Sequence, residues 1–236
     1  MERADAGNVL FAHVAARPEE ELDLGAAALL IAEVEYPGLD VAHYLSMLDD
    51  MADAVRGRAG AASGPDALRE AMGHHLFESL GFRGNGEHYY DPRNSFLNEV
   101  IDRRVGIPIT LSVVVLEVGR RLGLALEGVS FPGHFLVRHR AGEREVLLDP
   151  YHGGAALSRA DLEERLRAVP GHGDKAELAP AHLAPASKRQ ILVRMLNNLL
   201  GIYRDRLKDA ARTRGVLERL AILNPTTLRE RAGETN

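Results

Sequence analysis

The chain has 236 residues, of which 45% are hydrophobic and 27% charged, enough apolar material for a sizeable core and far too much for a disordered chain. At about 150 residues per domain the length gives one large domain with an appendage. Lys plus Arg number 29 against 34 Asp plus Glu, a net charge of −5, so no basic excess points to nucleic acid or an anionic membrane. There are no cysteines, which removes disulfides, thiolate metal sites, redox dithiols and any thiol nucleophile.

Met1 to Ala16 carries charges at Glu2, Arg3 and Asp5 and makes a poor signal peptide. No window of about 20 apolar residues occurs, so a cytoplasmic protein without a membrane span is expected. Pro18 with Glu19 to Glu21 opens a predicted helix whose apolar stripe runs from Leu22 to Val34 and stops at Pro37-Gly38. Asp40 caps a second helix, amphipathic through Val41, Tyr44, Leu48, Met51 and Val55 until Gly57. A third starts at Pro65 and ends at Gly81.

The run from Gly84 to Pro92 is rich in turn formers and reads as an irregular loop carrying aromatics. Asn94 or Ser95 then caps a short helix through Arg103, with Phe96, Leu97, Val100 and Ile101 facing inward. From Pro108 to about Leu122 the pattern is apolar on every side, which predicts the central buried helix of the core. After Gly123 the character switches to strands at Ala125 to Phe131, Phe135 to His139 and Glu145 to Leu148, the last two joined by a tight hairpin at Arg140 to Glu143.

Ser158 with Asp161 is a capping box for a helix to about Arg167. Residues 170–186 read as a Pro/Gly/His-rich linker between a core of residues 1–169 and a helical tail of residues 187–236. Ser187 with Gln190 starts a long helix through Leu207, and a second covers Thr213 to Leu223. Such a helical hairpin is too short to stand alone as a repeat array, so it must pack on the core or on a partner.

The chemistry concentrates between Tyr90 and Gly154. His134 begins a strand straight after Pro132-Gly133, and Asp149 ends the neighbouring strand before Pro150, so antiparallel pairing brings the two side chains together. An imidazole oriented by a carboxylate is the general-base half of a catalytic triad. The same pair can also act as a buried hydrogen bond that holds the strands in register. The N-terminus of the buried helix is the place for a missing nucleophile, because the helix dipole and free N–H groups favour negative charge there.

The phrases Tyr90 to Glu99, Gly106 to Ser112, Phe131 to Arg138 and Leu148 to Gly154 resemble those of the SirB-like proteins, which join a transglutaminase-like core to a tetratricopeptide-like helical tail. The resemblance runs from about Ala28 to Pro225. It implies an α+β fold similar to the papain type, with a buried helix against a small antiparallel sheet, an N-terminal helical layer and a C-terminal helical hairpin. It also implies a catalytic Cys at the start of the buried helix, a His at a following strand and an Asp at the end of the next. His134 and Asp149 match the last two; near Pro108 or Ile109 there is no cysteine. Thr110 and Ser112 are the nearby hydroxyls that would have to substitute, and hydroxyls are weak nucleophiles without a bonded base.

The expected function is accordingly a non-catalytic protein that binds a protein or peptide through a relic groove and the helical tail. The competing expectation is a peptidase or amidase in which His134 and Asp149 work with a hydroxyl or a water. Asn94, Asn98 and Glu99 are expected to line the groove beside His134. His134, Asp149 and His152 make a two-His-one-carboxylate set only if the turn at Pro150 folds His152 back; no cofactor, metal, nucleic acid or membrane is expected.

Overall fold

The computed structural model describes residues 2–60, 63–171 and 177–224. A layer of helices comes first: α1 (Glu2–Ala15), α2 (Leu24–Ala32), α3 (Val41–Ala59) and α4 (Pro65–Gly73), the last continued by a π-helical turn at His74–Ser79. α1 covers most of the segment read only as a poor signal peptide; it buries Phe11 and Ala15. α2 begins at Leu24 rather than Pro18 because the Asp23 carboxylate accepts from Ala26 N at 2.9 Å and takes the N-cap, leaving Glu19 to Glu21 in a turn. Its residues are buried apart from Ala26, as befits a helix apolar on all sides. Asp40 caps α3 as anticipated, accepting from His43 N at 3.0 Å. Gly57 does not stop this helix; it ends at Gly60, whose φ of +84° suits glycine.

A two-residue parallel pair, β1 (Arg83–Gly84) with β2 (Val105–Gly106), brackets the aromatic loop. Between them lie a 3-10 turn at Pro92–Ser95 and α5 (Leu97–Arg103). Neither Asn94 nor Ser95 caps α5: Phe96 holds the cap position, and Asp91 caps the 3-10 turn instead. The two side chains are withdrawn into the interior. α6 (Pro108–Arg121) is the expected central helix, buried without a break from Pro108 to Gly119.

The main sheet contains β3 (Ala125–Val129), β4 (Leu136–Ala141), β5 (Arg144–Asp149), β6 (Ala155–Leu157) and β7 (Pro185–Ala186), in the order β6-β5-β4-β3-β7 with every pairing antiparallel. Alternation along the strands sorts the side chains into two cores. Val137 and Leu148 join the large cluster with α6, whereas Leu136 and Leu147 meet Leu162 and Leu166 of α7 (Arg159–Ala168) on the other face. α7 starts with the Ser158–Asp161 capping box anticipated for it. The span read as a linker is not only a connector: it supplies a 3-10 turn at Pro180–Leu183 and the edge strand β7, while residues 172–176 lie outside the described residues.

The C-terminal pair is α8 (Lys188–Leu200), prolonged by a π-helical turn at Gly201–Arg206, and α9 (Ala210–Leu223). Residues 225–236 lie outside the described residues. Ile191, Leu192, Met195, Leu196 and Leu199 are buried in the same cluster as α2 and α6. Lys188 Nζ donates to Leu22 O at 2.8 Å and Arg189 Nη1 to Ala15 O at 2.5 Å. α8 is thus built into the core, where it reaches the candidate site. Among the described residues no helix is long and apolar enough to cross a membrane.

Candidate functional site

The hub of the site is Asp149, the last residue of β5, with no exposed surface. Pro150 sets the first position of a 3-10 turn through His152, and the left-handed Gly153 and Gly154 (φ +70° and +73°) return the chain into β6. Within this turn Tyr151 N and His152 N donate to Asp149 Oδ1 at 3.1 and 3.3 Å. His134 Nε2 donates to the same oxygen at 2.8 Å, and His152 Nδ1 donates to Oδ2 at 2.7 Å. Arg165 Nη1, from α7, lies 2.9 Å from Oδ2. Burial works to raise the carboxyl pKa, but the hydrogen bonds and charge of His134, then of His152, prevail and hold it at about 2. An ionised carboxylate only accepts, so the facing ring nitrogens carry the protons.

His134 is delivered by the Pro132-Gly133 turn, in which His134 N bonds Phe131 O at 3.0 Å and Gly133 takes φ +68°. With Nε2 on the carboxylate, Nδ1 is left as the acceptor side of the ring. No hydrogen bond engages Nδ1 among the described residues, and the side chain keeps 15% of its exposure. This is the orientation of a general base. Tyr151 stands edge-on to the ring at 5.9 Å and His152 stacks at 5.8 Å. Tyr89 extends the aromatic strip at 6.2 Å from Tyr151, and Tyr90 follows at 5.2 Å from Tyr89.

Arg194 of α8 went unread in the sequence. Its Nη2 donates to His134 O at 2.7 Å and its Nη1 to Ser130 Oγ at 2.6 Å, so the C-terminal helix clamps the loop that carries the histidine. No local signal marks it: an arginine on a helix 60 residues away reads as a solvated charge.

The hydroxyls are placed otherwise than a nucleophile requires. Thr110 is fully buried; its Oγ1 donates to Asn94 O at 2.7 Å, approaches Ile107 O at 3.1 Å and accepts from Ile107 N at 3.2 Å. It closes the start of α6. Ser112 is buried with no partner for its hydroxyl among the described residues. Neither is hydrogen-bonded to His134.

The three polar residues expected beside His134 serve elsewhere. Asn94 accepts from Asn85 Nδ2 at 3.1 Å and donates to His88 O at 2.7 Å, which shapes the aromatic loop from below. Asn98 is buried with no partner for its Oδ1 among the described residues, and Glu99 faces Arg103 Nη1 at 3.9 Å. No hydrogen bond links these three to the His134–Asp149 pair among the described residues. The condition attached to His152 is met instead: the turn folds it back, and one ligand atom from each of His134, Asp149 and His152 lies within 4.8 Å of the others.

The wall of the site depends on a glycine. A Cβ added to Gly84 would stand 2.5 Å from the Tyr151 ring, so Gly84→Ala is expected to displace that ring and destabilise the protein by about 1–3 kcal/mol. Urea denaturation of the variant measures it; an unchanged midpoint would mean that the ring yields freely.

Comparison with known proteins gives the family of the chain. The transglutaminase-like superfamily profile matches residues 42–197, which include His134 and Asp149. A UPF0162 protein of Xylella fastidiosa (strain Temecula1) is 42% identical over 225 residues, covering 94% of this chain and 80% of that protein. A UPF0162 protein of Pseudomonas aeruginosa is 35% identical over 181 residues, 75% of this chain and 63% of that protein. Human F-box only protein 21 is 42% identical over 80 residues, 34% of this chain and 13% of that protein. No solved structure matches the chain. On its superfamily match and its extended similarity to these bacterial relatives, the chain belongs to the UPF0162 family within the transglutaminase-like superfamily.

Proposed function

We propose that this is a non-catalytic member of the superfamily that binds a protein or peptide at the part-exposed His134, beside the aromatic strip of Tyr89, Tyr90 and Tyr151. The observation that carries the reading is the commitment of Thr110: the hydroxyl nearest the expected nucleophile position is spent on Asn94 O and the Ile107 backbone, and the chain has no cysteine. A base without a nucleophile still recognises. His134 Nδ1 accepts an N–H or O–H from a ligand, and the tyrosine rings offer rigid amphipathic contact area. The helical tail enters this reading as support for the site, through Arg194, more than as a separate repeat surface.

Peptide arrays probed with the purified full chain, followed by fluorescence polarisation on the spots that bind, test the proposal. A defined subset of peptides is expected to bind, and His134→Gln, which keeps a donor toward Asp149, is expected to weaken binding about tenfold, the cost of one good hydrogen bond to a buried partner. The orientation of His134 favours one second reading, a hydrolase that activates water. Turnover of p-nitrophenyl esters or peptide anilides by the parent, lost in His134→Gln, would establish that reading and overturn the first.

A further inference from the structure

We propose that His134, Asp149 and His152 form a binding site for a divalent transition-metal ion of the zinc or cobalt type, and that Arg165 is the cation that holds the place when the ion is away. The inference rests on the reading of the His134 region as a binding site and names one thing that it holds. Two imidazoles and a carboxylate are the donors that such ions take, with open positions left for water or ligand. Bonds of about 2.0–2.2 Å put the donors around one ion roughly 3–3.5 Å apart. Here the three ligand atoms already lie within 4.8 Å of one another, with each ring nitrogen 2.7–2.8 Å from a carboxylate oxygen, so small side-chain rotations bring them onto one centre.

The site is organised before anything binds. Asp149 is buried and oriented by two backbone N–H groups. The loop of His134 is clamped by Arg194, and its ring abuts Tyr151. The His152 side chain is 52% exposed and gives the entry path. The protons have somewhere to go: when His134 Nε2 and His152 Nδ1 become ligands, each ring carries its proton on the other nitrogen, and His134 Nδ1 is unbonded. Arg165 marks the charge that the site wants, since its Nη1 lies 2.9 Å from Asp149 Oδ2 and 3.5 Å from His152 Nδ1. Its side chain keeps 30% of its exposure, so it can withdraw to water as an ion enters. Ion and guanidinium are therefore alternatives for the same carboxylate oxygen.

Metal-stripped full-length protein titrated with Co2+ in the visible, and with Zn2+ against a chromophoric chelator, tests this. One equivalent is expected per chain, with a rise in melting temperature on Zn2+ because the ion binds the folded state. His152→Ala is expected to weaken binding at least about tenfold, and Arg165→Gln to tighten it about tenfold, the scale on which near neighbours of a metal act. His74→Ala, at the surface, should leave binding unchanged. Absence of stoichiometric binding in both the parent and Arg165→Gln overturns the inference, as does undiminished binding by His152→Ala. If the ion fails to bind while array peptides still do, only this inference falls; if the ion binds and no peptide does, the proposed peptide-binding role falls instead.

Discussion

Asp149→Asn is expected to be the most damaging single polar substitution in the protein, with a loss of about 3–5 kcal/mol. Five donors converge on a carboxylate with no exposed surface. An amide of the same shape keeps one acceptor and aims an N–H2 at groups that also donate. Removing one member of a buried charged network costs this much because the others stay buried without compensation, and it is a large share of a typical stability of 5–15 kcal/mol. Urea denaturation of parent and variant at neutral pH measures it; a loss below about 1 kcal/mol would mean that the donors find water instead. An acid titration gives the second arm. The Asp149 pKa is lowered from 3.8 to about 2 by folding, so its ionisation stabilises the native state above the unfolded-state value, and that contribution disappears as the pH falls through 4 toward 2. It amounts to about 2 kcal/mol. The parent should lose stability over that interval more steeply than Asp149→Asn.

Truncation after Ala186 is expected to abolish cooperative folding, because the hairpin of residues 187–236, which the sequence left to pack on the core or on a partner, packs on the core. Ile191, Leu192, Met195, Leu196 and Leu199 are each at most 2% exposed and sit against α2 and α6. At about 1.5–3 kcal/mol for each fully buried side chain, α8 alone contributes on the order of 10 kcal/mol, comparable to the whole stability. A soluble truncation product with a sharp thermal transition would show that the core closes without it. Leu217→Ala, on an α9 residue 49% exposed, is the control and should shift stability by less than about 0.5 kcal/mol.

What the sequence revealed and what it hid divides along a physical line. α6 was legible because a run apolar on every side has only one place to go, and the β4–β5 hairpin because Arg140 to Glu143 carries turn chemistry between β-rich runs. His134 and Asp149 were legible as a pair because their strands are neighbours, with Val137 opposite Leu148, although His134 does not begin the strand as expected but sits in the turn two residues before β4. The brace from Arg194, the seat of Arg165 and the burial of α8 were not, because each depends on a partner about 16 to 170 residues away and leaves no periodic trace. Asn94 misled for a subtler reason. A polar side chain in a loop beside a site looks like a ligand contact, yet Asn94 is sealed under the aromatic loop and bonds its backbone. β7 was missed because two residues, one of them a proline, make too short a run to show alternation.

The packing of the last helices on the first also fixes when the protein can fold during its synthesis. α1 and α2 are made first, but Phe11, Leu29 and Leu30 are covered only in a core that α8 and α9 help to close. The nascent chain must therefore carry the apolar segment Leu24–Ala32 uncovered while most of the protein is still being translated. Contacts of such long sequence separation slow folding and extend the interval of exposure.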